Sequence, residues 1–189
     1  FNNNISTQLV LILLNTFRIN KMLGFKKKDK VDDTNEKVNT VSSGMLQFKK
    51  ELPELPSLMI PQGKLYLDKN DVMTFKVDYT PEKDSYWSPG VYSFTFNVSD
   101  QYSITPPKVK CNTKIYHPNI NANGTICLAI LKEEWSPSQS IYKILLNIYS
   151  ILSDPVPENS LVPEIGTLYM SDKPAFEKIA SEWTKKYAM

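Results

Sequence analysis

The 189 residues carry 22 basic and 20 acidic side chains, a net charge of +2, with 41% apolar and 22% charged residues. This is an ordinary globular composition, and the charge gives no electrostatic case for nucleic-acid binding. Two cysteines are too few for a disulfide framework, and no apolar run approaches the roughly eighteen residues of a membrane span. A reducing compartment is therefore the default, and the location expected is cytoplasmic and nuclear. Arg18 is the single arginine, so arginine clamps on phosphate or carboxylate are not expected in the folded domain.

Residues 1–21 contain the apolar run Leu9 to Leu14. No basic residue precedes it and no small-residue cleavage site follows, so it reads as an upstream extension with Met22 as the start. Organellar targeting is the competing reading. From Met22 the chain runs MLGFKKKDK, apolar then basic, and continues into the polar, aperiodic VDDTNEKVNTVSSG. The division expected is a flexible extension over 1–41 and one folded domain over 42–189.

A serine before MLQFKKELPEL predicts a capped helix with Met45, Phe48 and Leu52 on one face, closed by Pro53 and Pro56. Strand character follows at Lys64 to Leu67, Val72 to Tyr79, Val91 to Val98 and Val109 to Thr113. In the second run Met73, Phe75, Val77 and Tyr79 alternate with Val72, Thr74, Lys76 and Asp78, predicting a sheet with one covered face. Short connections through Pro81, Pro89-Gly90 and Pro106-Pro107 predict an antiparallel meander. Ser136-Pro137-Ser138 is read as the cap of an apolar helix over about Gln139 to Leu152, buried on more than one side. A proline-stiffened loop, Asp154 to Asn159, precedes two more helices, about Pro163 to Met170 and Lys173 to Tyr187. Helix, strands, then helices argue α+β.

The chemistry concentrates in Tyr116 to Trp135, YHPNINANGTICLAILKEEW. It holds the single histidine, His117, and Cys127 ten residues on, beyond an Asn-Gly turn. As a zinc ligand Cys127 lacks partners, because Cys111, His117 and Cys127 are spaced C-x5-H-x9-C with no fourth soft ligand, and no metal site is expected. As a base-activated nucleophile it would rely on His117, which Pro118 stiffens. As a structural thiol it would be a small buried hydrophobe, the reading that suits Cys111 in its strand pattern. As an acyl carrier it would take an activated carboxyl group as a thioester and pass it to an amine. That chemistry needs an oxyanion stabiliser, for which Asn119 is close in sequence. Spacing alone does not choose between the carrier and the structural thiol.

From about Met45 to Met189 the chain resembles the ubiquitin-conjugating enzymes. The resemblance rests on PPKVKCNTKIYHPNINANGTICLAILKEEWSP, with its His-Pro-Asn triplet, Cys127, and Trp135 eight residues further, and on SILSDPVPENSLVPEI and EWTKKYAM. It implies that fold: an N-terminal helix, a four-stranded antiparallel meander, a central helix and two C-terminal helices. It implies that Cys127 accepts a modifier's C-terminal glycine from an activating enzyme and passes it to a lysine of a target protein. Asn119 would stabilise the oxyanion or hold the loop that does so. His117 and Pro118 would fix the turn, and Tyr116 and Leu128 would line the cleft. Asn159 stands where the family often has an aspartate gating the incoming lysine, and it orients an amine without attracting its charge. Ile104, Ser136 and Pro137 would meet a RING or HECT ligase, and Lys49 and Lys50 the activating enzyme. ATP is used by the activating enzyme, so no cofactor is expected on this chain. SLVPEI and EWTKKYAM look like ubiquitin-type members. The extension with Met22, Leu23 and Phe25, the run TPEKDSYWSPGVYSFTF, KVKC and KEEW lean to the neddylation branch, where such an extension docks on the activating enzyme; its alternative is a solvated tail. The rival from another class is a conjugating-fold scaffold, which typically lacks the cysteine.

Overall fold

The computed structural model describes residues 42–55, 63–68 and 71–189. The expected extension over 1–41, with Met22, Leu23 and Phe25, lies outside them. Helix α1 spans Ser43–Glu51, and Ser42 Oγ accepts the Met45 N–H at 3.1 Å as its cap. Phe48 and Leu52, on one helical face, are fully buried.

Four antiparallel strands follow in the order β1 (Gly63–Leu67), β2 (Thr74–Tyr79), β3 (Tyr92–Asn97) and β4 (Lys108–Cys111). The alternation fixes the faces: Phe75, Val77 and Tyr79 of β2 and Tyr92, Phe94 and Phe96 of β3 are all buried. Phe75 stacks on Phe96 across the β2–β3 pair at 4.7 Å and on Phe48 of α1 at 5.5 Å, so α1 closes one end of the covered face. Each such phenylalanine contributes on the order of 1.5–3 kcal/mol by burial. Several strand ends fall short of expectation, β3 by one residue at each end. Asp71 takes the Met73 and Thr74 N–H groups into a turn, so β2 begins at Thr74 rather than Val72. At the other edge the Ser93 N–H donates to the Thr113 hydroxyl instead of a backbone carbonyl, and β4 ends at Cys111.

Helix α2 spans Ile141–Ser153 and packs Ile141, Ile144, Leu145, Ile148, Ile151 and Leu152 into the core. Its cap differs from the expected Ser136-Pro137-Ser138. Residues 136–139 form a turn, and Ser140 Oγ accepts the Lys143 N–H. The Glu51 carboxylate, at the end of α1, also accepts the Ile141 N–H at 3.0 Å. A carboxylate at a helix N-terminus meets both an orphan donor and the positive end of the helix dipole. The helix is not covered on every side, since Lys143, Leu146, Asn147 and Ser150 are exposed. Helices α3 (Pro163–Ser171) and α4 (Lys173–Tyr187) complete the fold, with Asp172 capping α4 through the Ala175 N–H. Among the described residues, four helices and one antiparallel sheet make the fold α+β.

Candidate active site

His117 is fully buried, its ring stacked on Trp87 at 4.4 Å between centroids. Nδ1 accepts the Asn119 N–H at 2.9 Å, which places the ring proton on Nε2, 2.9 Å from the Ile151 carbonyl that it serves. Burial pushes the imidazole pKa down to about 4, so the ring is neutral at physiological pH. Both nitrogens are occupied, and the ring belongs to the scaffold that joins the triplet to α2.

The next two residues reach the far loop. The Pro118 carbonyl accepts the Leu161 and Val162 N–H groups at 2.8 and 3.2 Å, and Ser160 Oγ lies 3.1 Å away. Asn119 is fully buried. Its Nδ2 donates to the Val156 and Asn159 carbonyls at 2.6 and 3.1 Å, and Oδ1 accepts the Val156 N–H at 2.9 Å. Both amide protons are therefore taken up by the loop. The expected oxyanion donor is not free to donate in this arrangement.

Cys127 is attached to the same triplet through its backbone, its N–H donating to the Asn119 carbonyl at 2.9 Å. The intervening turn is built by Asn121, whose Oδ1 accepts the Asn123 and Thr125 N–H groups. Gly124 adopts φ +79°, and its carbonyl accepts the Cys111 N–H, fastening the turn to β4. A side chain there would meet the Cys111 carbonyl oxygen at 1.9 Å from Cβ. The two thiols then diverge. Cys111 is buried and donates to the Thr113 carbonyl, and burial pushes its pKa up to about 12. Cys127 is partly exposed, with Lys132 Nζ 3.5 Å from its sulfur.

A turn-borne, partly exposed cysteine, tied through Asn119 to a proline-rich loop, lies within residues 47–184, which match the family model described as ubiquitin-conjugating enzyme. The chain belongs to that family. The fold is the α+β fold expected of a ubiquitin-conjugating enzyme, and members act generally as transferases with a ubiquitin-like modifier, an activating enzyme and a ligase as partners.

Against this conjugating-enzyme frame the expected site residues divide. His117, Pro118, Asn119, Cys127 and the backbone of Asn159 form one hydrogen-bonded unit, with the Asn159 side chain and Glu158 exposed. Leu128 is 5% exposed and packs in the core rather than lining a cleft, because in the extended backbone before the helical turn Ala129–Leu131 it points the same way as buried Ile126 and opposite to Cys127. Tyr116 is half-buried, its ring packing on Phe176 and Trp183 of α4 at 5.8 Å each. Ile104, 75% exposed, and Pro137, exposed beside the partly buried Ser136, sit on two loops that Trp135 ties together through its Nε1–H to the Ser103 carbonyl. Lys49 and Lys50 occupy the last turn of α1, Lys50 being exposed.

Sequence reasoning missed Trp87, Val156 and Lys132. The first two touch the triplet from distant segments, and Val156 does so through its backbone, which has no residue-type signature. Lys132 had a local signal, being five residues from Cys127 and next to a three-residue helical turn, Ala129–Leu131.

Proposed function

We propose that this chain is an active conjugating enzyme. Cys127 accepts the C-terminal glycine of ubiquitin or a ubiquitin-like modifier as a thioester from its activating enzyme, and passes it to a target lysine with a ligase. The observation that carries the reading is the contrast between the two thiols. Cys111 is sealed and hard to ionise, whereas Cys127 is accessible on a turn held by the His-Pro-Asn triplet. A binding-only scaffold has no use for that arrangement. Transthioesterification starts from an activated donor, so it needs no histidine base, consistent with a neutral His117 whose nitrogens are both occupied.

Asn119 acts by holding the 156–159 loop, since its amide groups are bonded there. The exposed Asn159 and Glu158 are the polar groups that this loop offers to an incoming amine. Ile104, Ser136 and Pro137 offer the ligase surface, and Lys49 and Lys50, with Met22, Leu23 and Phe25, the activating-enzyme surface. The modifier favoured is the Nedd type, on the likeness of the extension and of residues 80–96 to the neddylation branch.

The test is charging with purified activating enzymes, ATP and either modifier. A reductant-sensitive adduct on Cys127 with one modifier identifies the branch, and Cys127→Ser converts it to a reductant-stable ester. No adduct with either modifier, and no ester on Cys127→Ser, would return the chain to the scaffold class. Deleting residues 22–41 slows charging if that segment docks on the activating enzyme, and unchanged charging makes it a solvated tail.

A further inference from the structure

Asn119 gives both its amide protons to the Val156 and Asn159 carbonyls, so in this arrangement it has none for the oxyanion formed when a thioester on Cys127 is attacked. The donor that does reach the sulfur is Lys132, whose Nζ stands 3.5 Å from Cys127 Sγ. We propose that Lys132 is a catalytic residue: its ammonium stabilises the negative charge that develops on the thioester oxygen and on the departing sulfur. The inference rests on the reading of Cys127 as a thioester carrier.

The backbone on both sides of the lysine supplies the geometry. The Lys132 N–H donates to the Ala129 carbonyl at 2.9 Å, and the Lys132 carbonyl accepts the Trp135 N–H at 3.2 Å. Trp135 is fixed in turn by its indole bond to the Ser103 carbonyl at 2.9 Å. The lysine stem therefore starts from an anchored turn. A thioester oxygen lies two bonds from the sulfur, and rotation about Cβ–Sγ swings it to the roughly 2.7–2.9 Å of a charge-assisted hydrogen bond. An ammonium carries three N–H groups on a compact charge, so it can serve the oxygen and the sulfur together. The other polar side chains of the triplet and its loop are committed. The His117 ring is neutral, fully buried and bonded through both nitrogens. Ser160 Oγ is turned to the Pro118 and Val162 carbonyls.

The step balances with Lys132 protonated throughout. The neutral amine of the target attacks the thioester carbon, a C–N bond forms, and the C=O π pair moves onto the oxygen beside the ammonium. That pair then returns, the C–S bond breaks, and Cys127 leaves as thiolate, again beside the ammonium. The proton lost by the nitrogen passes to solvent. Both developing charges thus meet one fixed positive group, which is stronger in the transition state than over a neutral thioester. The same contact serves the incoming thiolate when Cys127 is charged.

The experiment is single-turnover discharge of the full chain and its Lys132 variants. Each is charged with ubiquitin or the Nedd-type modifier by excess activating enzyme, which is then stopped with EDTA. Loss of the reducible adduct is followed after adding free lysine, a charged amine, or hydroxylamine, an uncharged one, and is corrected for loss without acceptor. Lys132→Met removes charge and donors and is expected to slow discharge at least about tenfold. That is less than the roughly 10²–10³ typical of an enclosed donor, because Lys132 is exposed and water competes. Lys132→Arg keeps charge and donors and stays within about threefold of wild type. Lys132→Gln keeps an N–H donor without the charge and falls between, so the comparison survives a methionine variant that does not charge. The factors are the same for both acceptors, and the urea midpoints of the variants match the wild type. Discharge of Lys132→Met and Lys132→Gln at the wild-type rate overturns the proposal. So does an arginine variant as slow as methionine, or a loss seen with free lysine and absent with hydroxylamine, which would place the effect on the charge of the acceptor. Each of these leaves the Cys127 reading intact. Failure of the wild-type chain to form any reducible adduct overturns that reading and the role of Lys132 with it.

Discussion

The side-chain amide of Asn119 grips Val156 through both its N–H and its carbonyl, which belong to successive peptide groups. The Val156 N–H donates to Oδ1 at 2.9 Å and the Val156 carbonyl accepts from Nδ2 at 2.6 Å. A side chain here does what a neighbouring strand would do, and it does so from a fully buried position. At Val156 the loop is therefore held by a triplet side chain acting on loop backbone, in addition to the bonds that the Pro118 carbonyl accepts from Ser160, Leu161 and Val162.

Replacing Asn119 tests this grip. Asn119→Ala leaves the Val156 N–H and two carbonyls without partners, a loss of about 1–3 kcal/mol or more. Asn119→Asp keeps the acceptor but sets a carboxylate oxygen against the Val156 and Asn159 carbonyls, and is expected to destabilise more than alanine. Urea unfolding of the two variants decides it. An aspartate variant as stable as the parent would show that the amide protons do not hold the loop.

The buried imidazole makes stability depend on pH. The His117 pKa falls from 6.5 in the unfolded chain to about 4 in the folded one. Because the folded pKa is lowered, the unfolded state binds more protons between these values, and stability declines as pH falls from about 6.5 towards 4. The single group accounts for about 3 kcal/mol of that decline. His117→Gln can still donate to the Ile151 carbonyl and does not titrate. Its urea midpoint is expected to fall less steeply over the same window, and parallel pH profiles would refute the assignment.

The two cysteines should separate in a labelling experiment. With its pKa near 12 and its sulfur buried, Cys111 resists iodoacetamide at pH 7.5, whereas the accessible Cys127 reacts. Intact mass after limited alkylation should show one label per native chain and two in guanidinium. Cys127→Ser should take up almost none while folded; rapid native labelling of that variant would contradict the burial of Cys111.

Gly124 should tolerate no side chain. Its φ of +79° alone would favour asparagine as a replacement, but a Cβ at 1.9 Å from the Cys111 carbonyl penalises every residue with one. Gly124→Ala and Gly124→Asn are both expected to lose about 3 kcal/mol or more, since backbone displacement adds to the strain of the conformation. Thermal melts of the pair distinguish the causes: an asparagine variant close to wild type would leave conformation alone as the reason for glycine.

The residue pattern by itself determined the elements and their faces. Phe75 and Phe96 fall on the covered side because side chains alternate along a strand, and Phe48 and Leu52 share a helix face because of its 3.6-residue period. These are local rules, and they read correctly without knowledge of any partner. The His-Pro-Asn spacing to Cys127 likewise carried the family, because it is a fixed feature of one contiguous stretch. Where several local choices were equivalent, the pattern failed. The serines at 136, 138 and 140 are all credible caps for α2, and Leu128 is adjacent in sequence to Cys127, which faces the site. Tertiary structure decided these. Glu51, 90 residues away in sequence, takes the Ile141 N–H and helps set where the helix begins. Asn119 meets the far loop 37 residues on, and Trp87 covers His117 from the β2–β3 connection. Buried donors and acceptors must be satisfied by whatever the packed chain brings near, and that is a property of three dimensions rather than of spacing.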